Sequence, residues 1–285
     1  MNPAMGHVMK PGLFEASAHC LSLADPQEKC AAVFALAGKV TEGSFQWDWD
    51  DPIGSITGPG RPTRPELVAP TAVPRRRLGS DEGRAALVHA IAHIEFNAIN
   101  LALDAVCRFR DMPEQYYLDW ISVAEDEARH FQLLHKRLAQ LNRQYGDYPA
   151  HNGLWEMAEK TTDSCLVRMA LVPRVLEARG LDVTPGMIER LRAVGDTETI
   201  AALDVILAEE VRHVAIGTHW FNYCCKQENK PPAETFLELL RSRFTGSIRG
   251  PFNLTARTEA GFTQAEMDGL VSATSYPPKS RKSLR

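Results

Sequence analysis

The sequence predicts an all-α fold: a four-helix bundle preceded by a proline-rich arm and followed by a helical extension. Three observations carry this expectation. Residues 1–80 hold half of the 18 prolines. From Ser80 onward apolar residues recur with helical spacing, and no convincing strand alternation appears over the next stretch of about 190 residues. Within that stretch, carboxylates and imidazoles fall on the apolar faces of the long helical segments.

The elements follow in chain order. Asp25, Pro26 and Glu28 form a helix-start signal for "QEKCAAVFALA", and Gly38 is expected to end that helix. The segment "DPIGSITGPGRPTRPELVAPTAVPRRRLGS" is too rich in proline and glycine for regular structure and is read as a wrapping arm. A first bundle helix is predicted from about Asp81 to Arg110, and a second from Pro113 to about Tyr145. The third ends at Gly180, Thr184 and Pro185 start a short connector, and "DTETIAALDVILAEEVRHVAIGTHWFNYCC" is the fourth. Beyond it come a helix after Pro232, a short helix capped by Thr263 and Glu266, and a basic tail. The predicted organisation is therefore residues 1–80 as helix and arm, 81–226 as the bundle, and 227–285 as the extension.

Composition narrows the function classes. The 285 residues are 44% hydrophobic and 24% charged, enough for one sizeable core. A net charge of −4 gives no global attraction to nucleic acid or anionic membranes. The six cysteines lack C-x-x-C spacing and are read as buried or incidental thiols. With no leader pattern and no apolar run of bilayer length, the expectation is a soluble cytoplasmic protein without a membrane partner.

In the fourth helix Ile206, Glu210, His213, Gly217, Trp220 and Cys224 lie on one face. In the second, Trp120, Ala124, Glu127, Phe131 and Leu134 do the same, with His130 one turn past Glu127. The first helix sends Glu95 inward among Ile91, Ala92, Ala98, Ile99 and Ala102, and the third places Glu177 beyond Met169, Ala170 and Pro173. Glu95 precedes Glu127 by 32 residues and Glu177 precedes Glu210 by 33, and "EDEARHF" and "AEEVRHV" share Glu-x-Arg-His, so the two helix pairs read as an internal duplication.

Four inward carboxylates would repel one another and would be costly to bury without compensation. Two divalent metal ions supply the missing positive charge, with neutral imidazoles completing the ligands. A mixed oxygen and nitrogen donor set suits iron first and manganese second. The predicted metal ligands are Glu95, Glu127, His130, Glu177, Glu210 and His213. The competing reading is a metal-free ion network in which Arg129 and Arg212 pair with the glutamates.

The stretches "HAIAHIEFNAINLALDAVCRF", "YGDYPAHNGLWEMA", "RMALVPRVLEARGLDVTP", "EEVRHVAIGTHWF" and "GPFNLTARTEAGF" resemble successive signatures of a ferritin-like bacterial family of unknown function. The resemblance runs from about Pro26 to Phe262. It implies a ferritin-like four-helix fold with those six residues as metal ligands, and no established reaction.

Such a centre predicts an O2-dependent oxygenase or hydroxylase of a small organic molecule or a modified nucleobase, with an electron donor the sequence does not identify. The alternative is a non-catalytic iron-binding, ferroxidase or detoxification protein. The long arms disfavour a cage and favour a monomer or dimer. The "PRRR" stretch at 74–77 makes tRNA a minor candidate partner. Pro173 is expected to kink the third helix beside Glu177. Trp120 and Trp220 are read first as core indoles, and Tyr116 and Tyr117 as packing residues. His89 and His93 are read as interhelical hydrogen-bonding groups; His151, Asn253 and Arg257 either reach the mouth of the bundle or tie down the C-terminal segment.

Overall fold

The computed structural model describes residues 12–50, 58–74, 76–244 and 246–274, and among these no strand forms. The chain is all-helical. Two compact units are resolved, Met1–Pro74 with Val88–His151, and Arg75–Leu87 with Asn152–Arg285. The basic tail beyond residue 274, the arm residues 51–57 and Arg75 of "PRRR" lie outside the described residues.

The first unit contains α1 (Leu13–Ser22), α2 (Pro26–Thr41), the body of α3 (Asp81–Arg108) and α4 (Glu114–Gln140). The sequence reading missed α1, whose start is set from a distance. Both carboxylate oxygens of Asp48 accept from the first turn of α1, from Phe14 N and Glu15 N at 2.9 Å each. Asp25 caps α2, accepting from Gln27 N and Glu28 N. Gly38 does not end α2; the helix runs on until Gly43 adopts φ 65° and Ser44 N closes onto Lys39 O at 2.8 Å.

Likewise α4 stops at Gln140 rather than Tyr145, because Asn142 turns left-handed (φ 54°) and Arg143 N bonds to Leu138 O. Lys29 is buried completely, its ammonium donating to Leu21 O and to Asn100 Oδ1, which ties α2 to α1 and α3. Burial pushes its pKa down to about 7. The described arm lies along this unit: Gly60 N bonds to Leu21 O, and Val68 N and Ala150 N exchange hydrogen bonds with Ala150 O and Glu66 O. Tyr116 and Tyr117 are packing residues, both buried, with hydroxyls on the carbonyls of Ala105 and Phe109.

The second unit contains α5 (Gly153–Glu159), α6 (Cys165–Leu171), a π-helical turn (Val172–Glu177), α7 (Ala178–Arg192), α8 (Thr197–Gln227), α9 (Pro232–Ser242), α10 (Leu254–Glu259) and α11 (Gln264–Ala273). The expected kink at Pro173 is this π turn: proline cannot donate to the preceding turn, and the ladder resumes five residues on, with Ala178 N bonded to Pro173 O. Gly180 ends nothing, and Thr184 and Pro185 start nothing; all three lie inside α7. Pro185 leaves the carbonyl of Leu181 without its helical donor, and the Asn253 amide supplies one at 3.2 Å. That compensation keeps α7 continuous. Thr263 and Glu266 form the predicted capping box of α11.

One described helix, α3, has the length and apolar composition of a membrane span, contrary to the sequence expectation, and most of that window is buried inside the fold. Five of the six cysteines are buried and Cys165 is half-buried; none of them forms a disulfide.

Gly217 marks the tightest approach to the π turn. A Cβ there would lie 2.4 Å from Cβ and Cγ of Pro173. Alanine for glycine inside a helix ordinarily stabilises by about 1 kcal/mol, but overpacking against a rigid ring costs about 1–3 kcal/mol. Gly217→Ala is therefore expected to destabilise by up to about 2 kcal/mol in denaturant titration. Gly180→Ala, where an added Cβ meets nothing within 4 Å, is expected to be neutral or stabilising.

Candidate metal centre

In the first unit α3 and α4 present Glu95, Glu127 and His130 to one another. Their exposures are 3%, 0% and 0%. His130 Nδ1 lies 3.2 Å from Glu95 Oε2 and 3.5 Å from Glu127 Oε2. One donor atom from each of the three falls within 4.8 Å of the others, a spacing that could hold a metal ion. Burial opposes protonation of His130, and the flanking carboxylates of Glu127 and Glu95 outweigh it, pushing the imidazole up to about 11. Without metal, a proton on His130 supplies the positive charge the carboxylates require.

The local cause is helical spacing: Glu127 and His130 are three apart on α4 and share its buried face with Trp120, Ala124, Phe131 and Leu134. Phe96 and Phe131, each adjacent in sequence to a cluster residue, pack against one another with centroids 5.6 Å apart and planes tilted by 53°. Arg129 pairs with Asp126 at 2.8 Å, with its side chain 40% exposed.

In the second unit Glu210 and His213 repeat the spacing on α8. His213 is fully buried and its Nδ1 lies 3.7 Å from Glu210 Oε1. Ile206, Trp220 and Cys224 are buried on the same face, as the periodicity requires. Glu177, half-buried, closes the π turn, which packs against α8. Single-turn π insertions are frequent at functional sites because they re-aim one side chain without breaking the helix.

The family described as Protein of unknown function (DUF455) matches residues 22–268. The chain belongs to that family. An uncharacterised protein of Haemophilus influenzae is 44% identical over 261 residues, covering 88% of this chain and 90% of the relative. No solved structure matches the chain. Membership of DUF455 assigns no reaction, so chemistry has to be argued from the residues.

His89 and His93 are not interhelical; both hold the loop after α4. Gly146 N donates to His89 Nε2 at 2.9 Å, and His93 contacts Tyr145 OH at 2.8 Å and the His151 carbonyl at 3.2 Å. Asn253 caps α10 and Arg257 forms a buried bidentate pair with Asp182, so both tie down the C-terminal segment. Periodicity did not reveal the buried Lys29 or the Arg174–Glu266 pair at 2.7 Å, because the partners lie 71 and 92 residues away.

Burial lowers both His89 and His93 from the ordinary 6.5 to about 4. The unfolded chain therefore takes up protons below pH 6.5 that the folded chain refuses until about pH 4. Stability attributable to each ring is full above that window and falls with acidification through it, by about 1.4 kcal/mol per pH unit. Denaturant titrations from pH 7 to 4.5 are expected to show a shallower pH slope in His93→Gln than in the parent chain; equal slopes would contradict this.

Proposed function

We propose that this protein is a dinuclear iron, or mixed iron and manganese, carboxylate protein of ferritin-like architecture, acting as an O2-dependent oxygenase or hydroxylase of a small organic substrate or modified nucleobase. The observation that carries the reading is the buried Glu95–Glu127–His130 cluster, together with the repetition of its Glu-x-x-His at Glu210 and His213. In this reading Glu95, Glu127 and His130 form one ligand set and Glu177, Glu210 and His213 the other.

The donor chemistry fits such a pair. Carboxylate and imidazole suit iron and manganese, and no cysteine enters the cluster. Bound there in the reduced state, the metals would supply O2 activation. The chain contributes the rest. Glu95 and Glu127 hold negative charge where water cannot screen it, and His130 exchanges its proton for metal. Phe96 and Phe131, next in sequence to Glu95 and His130, are buried and add apolar surface to the helices that carry the cluster. A cavity of about 520 Å³ in the first unit has Phe96, His93, Tyr145 and the arm residues Arg61, Pro62 and Pro65 in its wall, a volume that suits an organic substrate. Trp120 Nε1 is buried with no hydrogen-bond partner among the described residues, a donor suited to a polar ligand. The site is read here as cytoplasmic, in a monomer or dimer, with an external electron donor.

Metal analysis of protein purified without chelator is expected to give about two metals per chain, and ferrous loading to start O2 uptake. Glu127→Ala is expected to lower both to below half. Fewer than about one metal per chain, with O2 uptake unaffected by Glu127→Ala, would overturn the reading. Uptake of many irons per chain by a large assembly would favour storage instead. Because His130 is protonated at neutral pH in the metal-free protein, loading should release a proton and apparent affinity should rise with pH. A proton-neutral titration in two buffers of different ionisation heat would contradict that coupling.

A further inference from the structure

The second unit contains a separate cavity that the metal chemistry does not use. It encloses about 130 Å³, roughly four water volumes, between the π turn, the start of α7 and the segment leading into α10. Arg174, Arg179, Arg249 and Arg257 all line it, and Asp182 is the one carboxylate in its lining. The lining side chains Val175, Leu176 and Phe252 are apolar.

Two of these arginines are buried to an unusual degree. Arg174 is 0% exposed and Arg257 2%. Each uses part of its fork within the fold: Arg174 Nη2 donates to Glu266 Oε1 at 2.7 Å and its Nε to Thr218 Oγ1 at 3.3 Å, while Arg257 Nε and Nη2 grip Asp182 at 2.9 and 2.7 Å. The remaining arm of each fork is unused. Nη1 of Arg174 and Nη1 of Arg257 are buried with no hydrogen-bond partner among the described residues. Both guanidiniums also stack on Phe262, 4.4 and 4.9 Å from its centroid. Ring contacts and one carboxylate partner each ease the burial of these cations, but they leave the two Nη1 donors without an acceptor among the described residues. Four arginines line the cavity against one lining carboxylate, Asp182, and Glu266 pairs with Arg174 from outside the lining, which leaves an excess of two positive charges.

Two orphaned buried donors on separate guanidiniums, a double positive excess and a compact volume specify an acceptor-rich dianion. We propose that this cavity binds a small tetrahedral oxyanion, inorganic phosphate or the phosphoryl end of a phosphomonoester, held by Nη1 of Arg174 and Arg257, with Arg179 and Arg249 contributing charge from the exposed side. Guanidinium forks match phosphate oxygens better than point charges do. A bound oxyanion would lock the π turn, α7 and the C-terminal segment together. The assignment is independent of the metal reading.

The test is titration calorimetry and thermal unfolding of chelator-treated full-length protein with inorganic phosphate and with glycerol phosphate, at constant ionic strength and a pH where both are dianions. One site per chain and a rise in melting temperature with ligand concentration are expected. Arg174→Lys keeps the charge but removes the fork, and Arg249→Gln removes one exposed charge without touching the buried pairs. Each is expected to weaken binding roughly tenfold. Tighter binding of glycerol phosphate than of phosphate assigns the ester as the occupant, and the reverse assigns the free ion. No response to either compound at millimolar concentration, an equal response to sodium chloride, or parent-like affinity in Arg249→Gln would each overturn the proposal.

Discussion

The burial of two carboxylates against one imidazole between α3 and α4 is the constraint on which the first unit is built. Glu127 and His130 have no measurable exposure and Glu95 has 3%. Groups of this kind are seldom buried unless something of opposite charge meets them, since uncompensated burial costs several kcal/mol per ion. His130 meets that need by holding a proton to about pH 11, and a divalent cation would meet it better. The apolar faces, the phenyl pair Phe96–Phe131 and the buried Lys29–Asn100 link all stiffen the helices that hold these three side chains in place.

The second unit solves a different backbone problem beside its own Glu and His. Two prolines fall within one helical stretch, and each is accommodated by a distinct device. Pro173 is absorbed by a π turn that fits only because position 217 lacks a side chain. Pro185 is absorbed by Asn253, which replaces the missing donor to Leu181 O. The first device ends at Glu177, and the second anchors the segment that carries Arg257. A local irregularity in sequence thus becomes the means by which distant residues are joined.

Much of this was legible beforehand, for specific reasons. The inward placement of Glu95, Glu127, His130, Glu210 and His213 followed from helical periodicity, which burial reproduces residue by residue. Caps at Asp25 and Thr263 were readable because the accepting side chain and the backbone amides that donate to it lie within three residues. Helix ends were not, since Gly38 and Gly180 look like terminators while the residues that actually turn left-handed, Gly43 and Asn142, are chosen by the Schellman closure around them. Helix α1 was missed because Asp48, which caps it, lies 33 and 34 residues from the amides it receives. The arginine cavity was invisible for the same reason: Arg174 finds Thr218 and Glu266 at separations of 44 and 92 residues. Short-range patterns fix faces and caps, whereas contacts across the fold decide which buried charge meets which.

The claim that the buried glutamates and histidines are metal ligands is tested most directly by anomalous diffraction at the iron edge from crystals of ferrous-loaded protein grown without oxygen. The account predicts one anomalous peak within bonding distance of Glu127 and His130 and a second within bonding distance of Glu210 and His213. A map with no peak at Glu127 and His130, from protein shown to be folded and iron-treated, would contradict it.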